Sequence, residues 1–203
     1  MIYLVRHCQT EDNNRKVLCS STDLDLSCLG ESQAKRVAAF FVDKKIDCIL
    51  TSDLKRAKQT ADYINNACRS SIIECPWLRE RLVPSHLSNL KYEDLVKQRQ
   101  VMGHRFVDPS QDWHNVDGVE GDNEIYARFT RGFSNHLNEQ TSTICVTHAG
   151  VIKAVLYSIF KIDPIRPNAF KVKNGCILSL QAGKNFEDLQ LVEIRQIQEH
   201  DNV

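Results

Sequence analysis

Net charge is missing from this sequence: its 203 residues carry 26 Lys plus Arg against 26 Asp plus Glu. Without a global field, overall charge cannot recruit a nucleic-acid or membrane-surface partner. A small local basic pocket is still allowed. Long hydrophobic runs are missing too, since no stretch approaches the ~18 apolar residues of a membrane span. The first residues read as a strand, not as a charged leader before an apolar segment, so no signal peptide is expected. Eight cysteines are present (Cys8, Cys19, Cys28, Cys48, Cys68, Cys75, Cys145 and Cys176), but none form a Cys-x-x-Cys pair. No Cys/His set has zinc-ligand spacing. Free thiols in a reducing, cytoplasmic compartment are therefore expected. Cys48, Cys145 and Cys176 lie within apolar runs and read as small core residues. Internal repeats, low-complexity tracts and flexible linkers are also absent. The expected organisation is one domain over residues 1–203.

What is present is an alternation of strands and helices. "IYLVRH" reads as a short buried strand. "LSCLGESQAKRVAAFFVDKK" reads as a helix begun by Ser27, with Ala34, Val37, Ala38 and Phe41 at helical spacing. "IDCILTS" is a second strand, "DLKRAKQTADYINNAC" a second amphipathic helix and "SIIEC" a third strand. The rhythm returns with "STICVTHAG" as a strand and "VIKAVLYSIF" as a helix. "NGCILSLQAG" and "LQLVEIRQI" follow as two strands of a hairpin around Gly183. This order predicts an α/β three-layer sandwich, a mostly parallel sheet flanked by helices. Residues 76–120 break the rhythm and are expected to form a small cap over one end of the sheet.

Ligands of open α/β sheets bind beyond the carboxyl ends of the strands. Two strands here end in histidine, "VRHC" with His7 and "VTHAG" with His148. A third leads through "TSDLKRA" to Arg56 early in its helix. If these strands are parallel, Arg6, His7, Arg56 and His148 converge on one edge. Helix N-terminal N–H groups would add to that edge, making a pocket for a dianion such as phosphate. No metal and no cofactor are needed, because the protein supplies the charge. Taken singly, a strand-end histidine is an ordinary satisfied polar residue, and Arg56 could be a solvated helix residue paired with Asp53.

The motifs "LVRHCQT", "LSCLGESQA", "TSDLKRAKQTA", "LRE" and "VTHAG", in this order, resemble those of the histidine phosphatase superfamily, in the branch that includes cofactor-dependent phosphoglycerate mutases. The resemblance spans residues 1 to about 180, and the ordered set is far more specific than Arg-His-x-x-Thr alone. It implies that His7 is the nucleophile that becomes phosphohistidine. Arg6, Arg56 and His148 would clamp the phosphoryl group, and Asn13 would contact it. Glu80 would protonate the leaving oxygen, with Glu74, Glu120 and Glu124 in reserve. The backbone N–H of Ala149 would stand where the family uses a glycine amide. The expected function is metal-independent hydrolysis of a small phosphorylated metabolite. The alternatives are a mutase that returns the phosphoryl group to its product, and a phosphate-binding relative without turnover. No nucleic-acid or membrane partner is expected, and a homodimer is left open.

Several family positions are altered here. Arg-His-Gly becomes Arg-His-Cys at Cys8, Gly-Glu-Ser becomes Gly121-Asp122-Asn123, and His-Gly-Gly becomes His148-Ala149-Gly150. The favoured reading of Cys8 is a small side chain at a tolerant site. A sharper one makes it a thiol of lowered pKa beside Arg6, Arg56 and His148, open to oxidation with Cys19 as partner. His86 and Arg81 are candidates to reach the pocket from the cap. The remaining histidines read as surface or loop residues.

Overall fold

The structure, a computed structural model, describes residues 1–18, 23–88, 90–91, 93–94, 118–162 and 170–197. Among these, one six-stranded mixed sheet has helices on both faces. Its strands are β1 (Ile2–Arg6), β2 (Cys48–Thr51), β3 (Ser71–Glu74), β4 (Thr143–Thr147), β5 (Ile177–Gln181) and β6 (Gln190–Arg195). Their order is β3-β2-β4-β1-β5-β6. β1, β2, β3 and β4 run parallel, while β5 and β6 are antiparallel additions at one side. This is the predicted three-layer α/β arrangement. β5 and β6 pair as the expected hairpin, joined through a single 3-10 turn at Phe186–Asp188.

Alternation along β1 explains the layers. Ile2 and Leu4 face one core, while Tyr3 and Val5 face the other. The second core receives helices α2 (Cys28–Phe41) and α3 (Lys55–Cys68) through Ala34, Val37, Phe41, Ala57, Ala61 and Ile64. The first core receives α4 (Asp122–Phe133) and α5 (Ala149–Ile159) through Ile125, Phe129, Phe133, Val151, Ile152 and Val155. Each buried Val, Ile or Phe among these contributes roughly 1.5–3 kcal/mol on burial. Ser27 caps α2 as expected, its side chain accepting from the Gly30 N–H.

Two helices have no counterpart in the sequence pattern. One is the single turn α1 (Glu11–Asn14), too short for periodicity to register. The other is α4, whose start is a glycine and whose last turn holds Gly132. Of the expected cap, residues 76–88, 90–91, 93–94 and 118–120 are described, including a 3-10 turn at Pro76–Leu78. Its remainder lies outside the described residues.

Gly132 lies where α4 meets Trp77. A Cβ built there would come within 2.2 Å of the indole. In an exposed helix interior Gly→Ala stabilises by roughly 1 kcal/mol. Here the sign should reverse. Gly132→Ala is expected to lower stability by about 1–3 kcal/mol through overpacking, measured by urea unfolding. A gain in stability would mean that Trp77 moves aside freely.

Candidate active site

The site is built on the last residues of parallel strands. In register, Arg6 stands opposite Thr147, and the His7 N–H donates to Thr147 O at 2.8 Å. His7 and His148 therefore leave the sheet side by side, with ring centroids 5.0 Å apart. His7, His148 and Arg56 are all buried. Arg56 sits in the first turn of α3, close enough to depress the pKa of both histidines, and Arg6 acts on both as well. The four groups predicted to share an edge do share it. Asp53, the bland partner considered for Arg56, is instead held by Arg79 in a two-pronged pair at 2.7 and 2.5 Å.

Hydrogen bonding fixes which nitrogen of His7 can react. Its Nδ1 lies 2.7 Å from the Cys8 carbonyl oxygen. A carbonyl only accepts, so Nδ1 carries the hydrogen and Nε2 keeps the lone pair. Burial first, then the charges of Arg56 and Arg6, push the His7 pKa well below its ordinary 6.5. The same causes, with contributions from His7 and Arg128, do so for His148. Both rings are therefore neutral near pH 7, and the positive charge of the site comes from the arginines. His148 Nε2 lies 2.9 Å from Ser52 Oγ, while its buried Nδ1 has no hydrogen-bond partner among the described residues.

The loop after His7 is locked from three sides. Gln9 packs on the start of α2, where a Cβ on Gly30 would meet Gln9 O at 2.0 Å. The Ser27 N–H donates to the same oxygen at 2.9 Å. Asn13 closes α1 onto Thr10, its Oδ1 accepting from the Thr10 N–H at 3.1 Å. That Oδ1 also accepts from Asn174 Nδ2 at 3.1 Å, and Asn174 donates to His7 O as well. The amide of Asn13 is thereby oriented with its carbonyl engaged, leaving its NH2 as the end available to an anion. Arg6 Nη1 donates to Val172 O at 2.6 Å.

Glu80 sits at the N-terminus of α5. Its Oε1 accepts from the Gly150 N–H at 3.0 Å and the Arg81 N–H at 2.8 Å, so it is not a free loop carboxylate. A Cβ on Gly150 would lie 2.3 Å from that oxygen. This explains why Gly150 keeps its hydrogen while the residue before it is alanine. Ala149, the first residue of α5, contributes one of the N–H groups that a helix start leaves over. Arg128 holds the segment from behind, donating to Trp77 O, Glu80 O and both oxygens of Glu120. The reserve carboxylates are engaged elsewhere: Glu120 with Arg128, Glu124 with the Gly121 N–H, and Glu74 with Lys58.

Three expectations are corrected. Arg81 turns away from the pocket to Asp122 and to Glu120 O, and His86 is exposed on a turn. Cys8 is turned into the core. Its thiol is fully buried in the core under α2 and α3, and burial pushes its pKa up to about 12 against a lowering from Thr60 and Arg6. The low-pKa reading of Cys8 therefore fails, and its proposed partner Cys19 lies outside the described residues, as do His104, His114 and His200. Sequence reasoning does not find Ser52, Asn174 or Arg128, and it names Glu120 only as a reserve acid. Their roles depend on contacts distant in sequence, although "TSDL" did lie inside a motif.

Among the described residues, no three His, Cys, Asp or Glu side chains cluster so as to hold a metal ion. No helix among them is long and apolar enough to cross a membrane.

The sequence profile of the histidine phosphatase superfamily (branch 1) matches residues 2–195. The uncharacterized phosphatase PhoE of Bacillus subtilis (strain 168) is 28% identical, over 89% of this chain and 87% of its own. Phosphoglycerate mutase-like protein 4 of Arabidopsis thaliana is 32% identical, over 92% of this chain and 80% of its own. A mycobacterial glucosyl-3-phosphoglycerate phosphatase solved with VO3 superposes with a TM-score of 0.78, at 20% identity, covering 94% of this chain and 95% of that one.

The neutral histidines have a consequence for stability. Below about pH 6.5 the unfolded chain protonates them while the folded protein does not. The unfolded state then binds more protons, so stability falls as pH falls. In anion-free buffer, denaturation midpoints should drop between about pH 7 and pH 5, by roughly 1 kcal/mol per pH unit for each histidine. His7→Asn and His148→Asn should each flatten that slope. An unchanged slope in both variants would show that the histidines are charged in the folded protein.

Proposed function

The chain belongs to branch 1 of the histidine phosphatase superfamily, whose members compared above carry phosphatase and mutase names, and we propose that it is a phosphatase. It hydrolyses a phosphomonoester of a small metabolite without a metal, through a phosphohistidine on His7. The observation that carries this reading is the bare Nε2 of His7, fixed by the Nδ1 contact to Cys8 O beside two arginines and His148.

In the first step His7 Nε2 attacks phosphorus and the P–O bond to the alcohol breaks. Glu80, arriving protonated, gives its proton to the leaving oxygen. In the second step water attacks phosphorus, Glu80 takes a proton from it, and the P–N bond breaks to release phosphate and free His7. Arg6, Arg56, His148, the Asn13 amide and the Ala149 N–H hold the phosphoryl oxygens throughout. A unit charge 4 Å from the phosphoryl group is worth roughly 4 kcal/mol at an effective dielectric of about 20. Several such contacts make electrostatics the main catalytic term. Arginine forks suit this role, being planar and permanently charged.

A mutase reading keeps one supporting observation. A probable phosphoglycerate mutase GpmB of Serratia proteamaculans (strain 568) is 28% identical over 88% of this chain. The two readings differ only in whether water or product accepts the phosphoryl group. The retained set of Arg6, His7, Arg56, Glu80 and His148 argues against a relative without turnover.

The test is a panel of phosphorylated metabolites in the presence of chelator, followed by rapid quench with labelled substrate. Released phosphate and an acid-labile, alkali-stable adduct absent from His7→Ala are expected. Full activity in His7→Ala would end the scheme, and labelled product isomer without free phosphate would make the protein a mutase.

Glu80→Gln should slow the first step at least tenfold on alkyl phosphates. It should matter less on nitrophenyl phosphate, whose leaving group needs little protonation. Equal losses on both substrates, read by burst kinetics, would transfer the acid role to another group.

A further inference from the structure

Ser52, in the "TSDL" segment, has no part in the scheme above, yet it is fully buried at the edge of the site. Its Oγ accepts from the Leu54 N–H at 3.4 Å and lies 2.9 Å from His148 Nε2. These are its side-chain partners among the described residues. The other ring nitrogen, Nδ1, is enclosed and has no hydrogen-bond partner among those residues.

Counting hydrogens decides how this pair is arranged. Leu54 N–H is a donor, so the Ser52 oxygen is the acceptor in that bond. The single hydroxyl hydrogen of Ser52 then has one acceptor in reach, His148 Nε2. Suppose instead that Nε2 carried the hydrogen and donated to Ser52. The Ser52 hydrogen would be stranded in the interior, and Nδ1 would present a bare lone pair inside a pocket built for an anion. Both are costly when buried. With Ser52 donating to Nε2, every buried hydrogen of the pair is placed except the one on Nδ1, which is left for a ligand.

We propose that Ser52 is a positioning residue that fixes the neutral Nδ1–H tautomer of His148, so that this histidine meets the phosphoryl group as a hydrogen-bond donor. The proposal rests on the phosphate-site reading of His148. It is consistent with burial and the nearby arginines keeping the ring uncharged. The two histidines then carry hydrogen on the same ring position to opposite ends. His7 spends its Nδ1–H on Cys8 O to expose a nucleophile, whereas His148 offers its Nδ1–H to the substrate.

The experiment is a long-range proton–nitrogen correlation spectrum of the full chain labelled with 15N-histidine, near neutral pH and without phosphate. The His148 signals are assigned by their loss in His148→Asn. A protonated Nδ1 with an unprotonated Nε2 is expected. A protonated Nε2, alone or in an imidazolium, would overturn the proposal. Ser52→Ala should lose the tautomer bias and Ser52→Thr should keep it; an unchanged tautomer in Ser52→Ala would remove Ser52 from the role. With orthovanadate as probe, Ser52→Ala should bind roughly tenfold more weakly than wild type, as for loss of one buried hydrogen bond. Equal binding would show that the tautomer is not used. The spectrum needs no turnover, so it fails separately from the phosphatase reading, which the adduct experiment tests.

Discussion

The His7 N–H reaches across to Thr147 O at 2.8 Å, continuing the parallel ladder in which Arg6 faces Thr147. Everything in the site depends on that register. In a parallel pair both strands end at the same edge, so both deliver the residue after the last rung to the same place. A slip of one residue would send every side chain of the strand to the other face. Ile2 and Leu4 would change cores with Tyr3 and Val5, so the two packed layers hold the register and, through it, the 5.0 Å spacing of the imidazoles. β2 adds to the same parallel set and hands Ser52 and then Arg56 to that edge.

This placement concentrates charge. Arg6 and Arg56 are permanent cations, and the two imidazoles between them are buried and kept neutral. A neutral His7 is what nucleophilic attack requires, since an imidazolium has no lone pair to give. In the proposed scheme the same arginines have two jobs: together with burial they hold the pKa of His7 down, and they would hold the incoming anion. When the anion binds, its charge offsets theirs, so the depression should be greatest in the empty site, before attack.

Much of this was legible in the sequence, because it is written locally. Buried strands show as apolar runs, α2 and α3 show as helical spacing with Ser27 as a start, and two strands visibly end in histidine. The misses are non-local. Asn174 supports Asn13 from 161 positions away, and Arg128 reaches Trp77 from 51. Nothing in the neighbourhood of either residue predicts those contacts. Cys8 shows a different limit. Its neighbours in sequence are the cations, which suggest a lowered pKa, the less favoured of its two readings. Strand alternation, however, does not extend past the end of β1, and the chain turns the thiol into the core. Nearness in sequence to charge did not amount to nearness in solvent or dielectric.

In the proposed scheme the group that would move the proton is held apart from the groups that would hold the phosphate. Glu80 is held by the amides of Arg81 and Gly150. The backbone that carries it is held by Arg128, which is itself paired with Glu120, and Arg81 is paired with Asp122. Both arginines thus have carboxylate partners of their own. The two amide donors fix the orientation of the Glu80 carboxyl group through Oε1. The altered "Gly-Glu-Ser" position fits this arrangement, because Asp122 still supplies a carboxylate for Arg81 at the start of α4. The substitutions that looked like departures from the family pattern, at Asp122 and at Ala149, fall where charge or backbone is retained. Gly150, whose replacement would strike Glu80 directly, is unchanged.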